Sequence, residues 1–326
     1  MDPSDRLPPP SRFGLRGLPR RRGLPGVAGG AGGDAGHPAR RLGAPGSSVW
    51  YFRRSRLGMG AAGVALVFVV AAIFAPWLTP FADAGRGVPD LSARLQGPDG
   101  TYWLGTDDLG RDMLARLLFG ARTALIVAVG VVALSVVIGV TVGAVAGYFG
   151  RWVDEVLMRI TDTFLAFPPL LLAVLVAAAL GASLRNTVIA IAVSWWPWYA
   201  RQVRAQVLSL QRRPYVRAVQ AIGVPSHSII VRHVLPNAMA PVWVQATADL
   251  GAAVLTAAGL SFVGLGPRPP TADWGVMIAE GRQYVLSGQW WIAGFAGIAI
   301  VVAAMSFNLI GDVVRDVTDP RTRGEG

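Results

Sequence analysis

The sequence predicts an all-α membrane protein, and three observations carry that prediction. The chain of 326 residues is 53% hydrophobic but only 15% charged, against about 25% charged residues in a soluble domain. Its mean hydropathy is +0.47. Six segments, about Leu57–Leu78, Thr123–Tyr148, Thr163–Leu184, Thr187–Leu208, Pro241–Leu265 and Trp290–Gly311, approach the roughly 20 apolar residues that one crossing requires. A soluble helical protein needs a polar face on each segment. The stretch "LIVAVGVVALSVVIGVTVGAVAG" (125–147) has none.

Ahead of the first span, residues 1–48 hold 19 Gly or Pro and eight Arg. Such a stretch buries too little apolar surface to offset the entropy of ordering, so a disordered basic tail is expected. The "RRR" at 20–22 is followed by no apolar run, which argues against a twin-arginine export signal.

Arginine placement orients the spans. Every one of the 30 basic residues is Arg, and none is Lys. With the N-terminus in the cytoplasm, 22 of the 30 fall on the cytoplasmic side, the expected positive-inside bias. Both termini are then cytoplasmic. Topology and lipid account for the net charge of +11 without invoking nucleic acid. The aromatic pairs and clusters Trp50–Tyr51, Trp195–Tyr199 and Trp290–Trp291 sit at span ends and read as interface anchors.

Catalytic chemistry finds little to use. There is no Cys and no Lys, which removes disulfides, thiolate nucleophiles, Schiff bases and a Walker-type phosphate lysine. His37, His227 and His233 lack ligand spacing, so no metal, cofactor or catalytic site is expected. The spans hold a single acid, Asp249, which either lines a pathway or stabilises helix packing. A proton- or sodium-coupled carrier normally shows more intramembrane acids. Any uphill movement of solute would therefore draw its energy from another polypeptide.

The stretch "YVRAVQAIGVPSHSIIVRHVLPNA" (215–238) predicts a short helix, a turn and a second helix between two spans. Pro214 suits a first helical turn. Tyr215, Ala218, Val219 and Ile222 recur at helical spacing as one apolar stripe. Gly223 fits the left-handed residue after a helix end. Ile229, Ile230, His233 and Val234 form a second face, which Pro236 is expected to end. On pattern alone, an amphipathic loop on the inner leaflet and a helix entering a partner's groove remain open.

This stretch resembles the EAA loop of ABC importer permeases: E-A-A, three residues, Gly, nine residues, then I-x-L-P. Arg217, Ala218 and Val219 fall on the E-A-A positions, Gly223 on the glycine, and Leu235 and Pro236 on the L-P. Arg217, Val219 and His233 depart from the pattern. "YWLGTDDLGRDMLARLLFGARTAL" (102–125), "WPWYARQVRAQVLSL" (196–210), "GLSFVGLG" (259–266), "PPTADWGVMIAEGRQYVLSGQWW" (269–291) and "NLIGDVVRDVTDPR" (308–321) are similar to the C-type subunits of the dipeptide, oligopeptide and nickel permeases. The resemblance spans roughly residues 50–323.

It implies the type I importer permease fold, with six transmembrane helices and a cytoplasmic coupling helix. It also implies a subunit of the bacterial cytoplasmic membrane that imports peptides or related small solutes. The expected partners are a second, B-type permease, two ATP-binding subunits or domains and an extracytoplasmic solute-binding protein. ATP would be used by those partners, with no cofactor bound directly. The loop would dock on the ATPase through Tyr215, Arg217, Ala218, Val219, Ile222, Gly223, Leu235 and Pro236. Arg217 puts a family-type acidic contact in doubt and calls either for an acid on the ATPase or for no ion pair there at all. Asp107, Asp108 and Asp112 lack the spacing of a calcium loop and are expected to be structural.

The resulting organisation is a tail (1–48), a first span with an extracytoplasmic segment (49–122), a core permease (123–312) holding the EAA-like loop (210–240), and a cytoplasmic C-terminal tail (313–326). The rival from another class is an autonomous channel or ion-coupled carrier. That rival predicts solute flux through the purified chain alone.

Overall fold

A computed structural model describes residues 56–318. The basic tail expected over 1–48, and Trp50 and Tyr51, lie outside them. Among the described residues the structure is helical throughout apart from loops and one isolated bridge, Thr106 to Asp112. The expected segments are occupied by α1 (Arg56–Leu78), α2 (Met113–Phe149), α4 (Pro169–Leu180), α5 (Leu184–Gln211), α8 (Ala240–Phe262) and α10 (Trp291–Thr318). Between them lie α3 (Arg151–Leu165), α6 (Pro214–Ala221), α7 (Ser226–Ala238, with a π turn at Ile230–Val234) and α9 (Trp274–Gly281).

The spans are unequal in length. By themselves α2 and the Trp291–Asp312 part of α10 are long and apolar enough to cross a membrane, whereas Ala62–Leu78 is a shorter apolar helix. The pairs α3 with α4 and α7 with α8 each qualify only as bent spans, broken by 89° and 58°.

Three boundaries differ from expectation. The second span begins at Met113 rather than Thr123, because the buried Asp112 caps it by accepting from the Ala115 N–H at 2.7 Å. The third span is not continuous over 163–184. Pro168 and Pro169 follow Phe167, and a residue before proline is driven out of the α region, so the chain turns there. The last helix runs past 312 to Thr318, into what was expected to be tail.

Small residues decide how closely the spans approach. Gly139, Gly143 and Gly147 are four apart and line one stripe of α2 against α5. A Cβ on Gly143 would fall 2.4 Å from the Ala200 carbonyl oxygen, and one on Gly147 would fall 2.9 Å from the Val207 Cβ. The two backbones touch, which is how apolar helices gain packing energy where lipid removes the hydrophobic drive. The α8–α10 contact repeats the device: a Cβ on Gly251 would lie 2.6 Å from the Ala304 oxygen.

The apolar interior falls into two clusters. One gathers Val127, Ile191, Leu260, Trp274, Met277 and Ile292 towards the loops that precede α2 and α10. The other gathers Tyr199, Val203, Val207, Val216, Ile229 and Val234 towards the EAA-like loop. Trp196 and Tyr199 are buried inside the bundle, so the interface-anchor reading fails for them. They face neighbouring helices, as the Trp196 edge contact with Phe164 shows.

Candidate functional site

The EAA-like loop is built much as its residues suggest, with its sides reversed in part. Pro214 opens α6, and Gly223 follows it with φ +82°. Nothing crowds a Cβ at Gly223, so the positive φ rather than close approach calls for glycine there. The Gly223 N–H donates to the Gln220 carbonyl at 3.0 Å and closes the turn. Pro236 does not end the second helix. It sits in the first turn of Leu235–Ala238, directly after the π turn, and the helix breaks at Met239. Proline lacks an N–H and its ring clashes with the carbonyl four residues back; the wider turn before it relieves both.

The stripe Tyr215, Ala218, Val219 and Ile222 divides between two faces. Val219 is half-buried and packs with Val216, Ile229 and Val234 against α5. Val216 is fully buried, yet periodicity did not single it out. Val216 and Val219 share a spacing of three that competes with Tyr215, Ala218 and Ile222. Which apolar face turns inward is not a local property.

Tyr215, Ala218 and Ile222 are exposed, as are Arg217, Gly223, Val231 and Pro236; Leu235 is half-buried. Ile222 keeps 78% of its surface and Val231 60%. Arg212, Arg213, Arg217 and Arg232 surround this knob, and none of them forms an ion pair among the described residues. Neighbouring arginines do pair. Arg204 binds Asp154 through two nitrogens (2.5 and 2.6 Å), and Arg201 reaches Asp162 at 2.6 Å, tying α3 to α5. Gln211 clamps the end of α5 to that of α2, donating to the Gly147 and Tyr148 carbonyls.

Asp249 lies near the middle of α8 and is held by neutral donors. The Tyr199 hydroxyl donates to one oxygen at 2.6 Å, and the Gln245 amide donates to the other at 2.7 Å. Of these partners only Gln245, at i−4 on the same helix, was visible in the sequence. A cavity of about 370 Å³ opens beside Asp249, lined by Trp195, Trp198, Gln202, Gln245 and Ala252. A second cavity of about 640 Å³ shares Gln202 and Gln245 and extends past Asn237 to Asp312 on α10. A polar track thus runs from the middle of the bundle to the end that carries the loop.

At the opposite end, "GTDDLGRD" forms a buried ionic cluster. The Asp107 carboxylate accepts from Arg111 Nε and Arg116 Nη1, both at 2.7 Å. Glu280 on α9 accepts from the same two guanidiniums, at 3.3 and 3.0 Å. Both arginines are about 1% exposed. Asp107 is engaged by arginine and Asp112 by its cap, which fits the structural role expected of them. Burial pushes the Asp112 carboxyl above the usual range despite the backbone N–H groups of Ala115 and Leu114. Asp108 is raised by burial and by the charges of Asp107 and Glu280. Asp273, which caps α9 through the Val276 N–H, is raised by burial.

Residues 139–324 match the family described as the binding-protein-dependent transport system inner membrane component. The chain belongs to this family of transport permeases. Residues 45–98 match the N-terminal transmembrane domain of oligopeptide transport permease C. Relatives include the dipeptide transport system permease protein DppC of Alkalihalophilus pseudofirmus, 42% identical over 83% of this chain and 88% of that one. The probable D,D-dipeptide transport system permease protein DdpC of Escherichia coli is 41% identical over 85% and 92%. The glutathione transport system permease protein GsiD of Escherichia coli is 38% identical over 84% and 89%. An inward-facing MetNI methionine ABC transporter structure has a TM-score of 0.49 at 22% identity, covering 64% of this chain and 98% of that one. By its family and its helices, this permease is an all-α membrane component of an ABC importer, with the type I permease fold.

Proposed function

We propose that this permease supplies half of the solute pathway of an ATP-driven peptide importer, and that residues 214–238 couple it to the ATPase. The remainder of the assembly is a second permease, two ATP-binding subunits or domains and an extracytoplasmic binding protein. Nucleotide is bound and hydrolysed by those partners, and both termini of this chain face the cytoplasm. Peptide as the solute rests on the names of the relatives, which are peptide, dipeptide and glutathione permeases.

One observation carries the coupling assignment. The loop is sealed to the bundle by Val216, Ile229 and Val234 while it presents Tyr215, Ile222 and Val231 outward amid arginines that form no ion pair among the described residues. An apolar helical face that no other described residue covers suits a groove on a partner. Burial of each of those three side chains would contribute about 1.5–3 kcal/mol before association costs are subtracted. Motion of the ATPases would then act through Val216 and its neighbours on α5, and through α7 on α8, the helices that line the polar track. Arg217 would meet an acid of the ATPase.

The chain has no cysteine, so an Ile222→Cys thiol is unique within it. In membranes containing the assembled importer, that thiol should crosslink to the ATP-binding subunit, and the yield should change when ATP is trapped. A crosslink to the binding protein instead would place the loop on the wrong side and sink the assignment. Reconstituted alone, the permease should pass no peptide; flux without ATPase would favour an autonomous carrier.

A further inference from the structure

The cavity beside Asp249 holds a carboxylate and a side-chain carbonyl that no cation among the described residues reaches. The Asp249 carboxylate receives one hydrogen bond per oxygen, both from neutral groups, and forms no salt bridge among the described residues. Gln202, in the same wall, directs its amide nitrogen at the Pro241 carbonyl (3.4 Å). Its buried Oε1 has no donor among the described residues. Among the described residues no Arg, Lys or His lines the cavity. Trp195 and Trp198 complete the wall, and indole faces attract cations. An intramembrane carboxylate without a counter-ion is costly and points to a functional partner.

We infer that this cavity is a transient subsite for a cationic, donor-rich group, the α-ammonium of a peptide in transit. A primary ammonium carries three donors and one charge. Asp249 takes the charge, and Gln202 Oε1 takes a donor after rotation about its terminal torsion, which is soft. The indoles shield the group from lipid. Roughly 370 Å³ is within the range of small-ligand sites, and a short peptide fits it. The subsite lies at mid-bundle, and the track through Gln245 and Asn237 leads from it to the coupling end. Release would follow once the walls separate. The inference rests on the peptide-import reading above and adds the group that is recognised.

The test uses the complete importer in proteoliposomes, with dialanine as solute and its binding protein outside. Peptide imported per ATP hydrolysed should fall about ten-fold in Asp249→Asn, the equivalent of losing one charge-assisted contact. Asp249→Glu should recover most of it. Subunit co-purification and the ATPase response to loaded binding protein should stay at wild-type level in both. Import per ATP within two-fold of wild type in Asp249→Asn would overturn the subsite. So would loss of the second permease on purification, which would show that Asp249 instead pairs with a cation of that subunit. Failure of the wild-type assembly to import dialanine at all would overturn the peptide reading, and the subsite with it.

Discussion

Val216 and Ile222 stand six positions apart on one short helix and its cap and face opposite ways, one fully buried and the other 78% exposed. The first belongs to the permease core and the second to its exposed surface. Their substitutions should therefore separate cleanly. Val216→Ala should lower the stability of the purified permease by about 1–3 kcal/mol, the usual range for a buried truncation. Ile222→Ala should leave the melting temperature unchanged and reduce uptake coupled to ATP hydrolysis. Equal melting losses in both variants would contradict the division of faces.

Arg217 is exposed and carries a charge opposite to that of the motif it resembles. If an acid on the ATPase receives it, Arg217→Glu should place two carboxylates together and weaken ATPase-coupled uptake. Charge reversal at that acid should restore it. Unchanged or improved uptake in Arg217→Glu alone would show that no such acid is present.

The cluster of Asp107, Arg111, Arg116 and Glu280 joins the segment before α2 to α9, 169 residues away for the Arg111–Glu280 bond. Removing one member leaves buried charge uncompensated, which costs about 3–5 kcal/mol. Asp107→Ala leaves Glu280 to balance two buried guanidiniums and should produce a loss of that order in detergent unfolding. The melting temperature should respond far less to Asp83→Ala, whose exposed pair with Arg86 is worth little.

Asp273 caps α9 while buried, and its carboxyl is raised above its ordinary 3.8. The folded protein thus holds this proton more tightly than the unfolded chain. Its favourable contribution is complete below about pH 3.8 and is lost as pH rises through the folded value. Asparagine caps equally well and cannot ionise. Asp273→Asn should therefore melt with the wild type in acid and at or above it near neutrality. A variant that became less stable as pH rose would reverse the sign and refute the argument.

Much of the site was legible in the chain because its signals are local. Gly223 lies at the predicted turn with positive φ, Pro214 opens the predicted helix, and Gln245 stands one helical turn from Asp249. The break at Phe167 was missed although "FPP" encodes it locally. Composition hid it, since the flanking residues are uniformly apolar. Tyr199 and Gln202 could not be linked to Asp249 from sequence, because their proximity is created by two helices packing.

The sequence by itself determined the membrane class, the approximate position of the long apolar helices, and a basic helix-turn-helix between two of them. Those follow from hydropathy, periodicity and backbone preference, all properties of neighbouring residues. Tertiary structure alone decided that Val216 faces inward and Ile222 outward, that Glu280 balances Arg116, and that Asp249 meets the Tyr199 hydroxyl in a cavity shared with two indoles. Burial and charge compensation depend on which distant segments fill the same volume, and no local pattern records that.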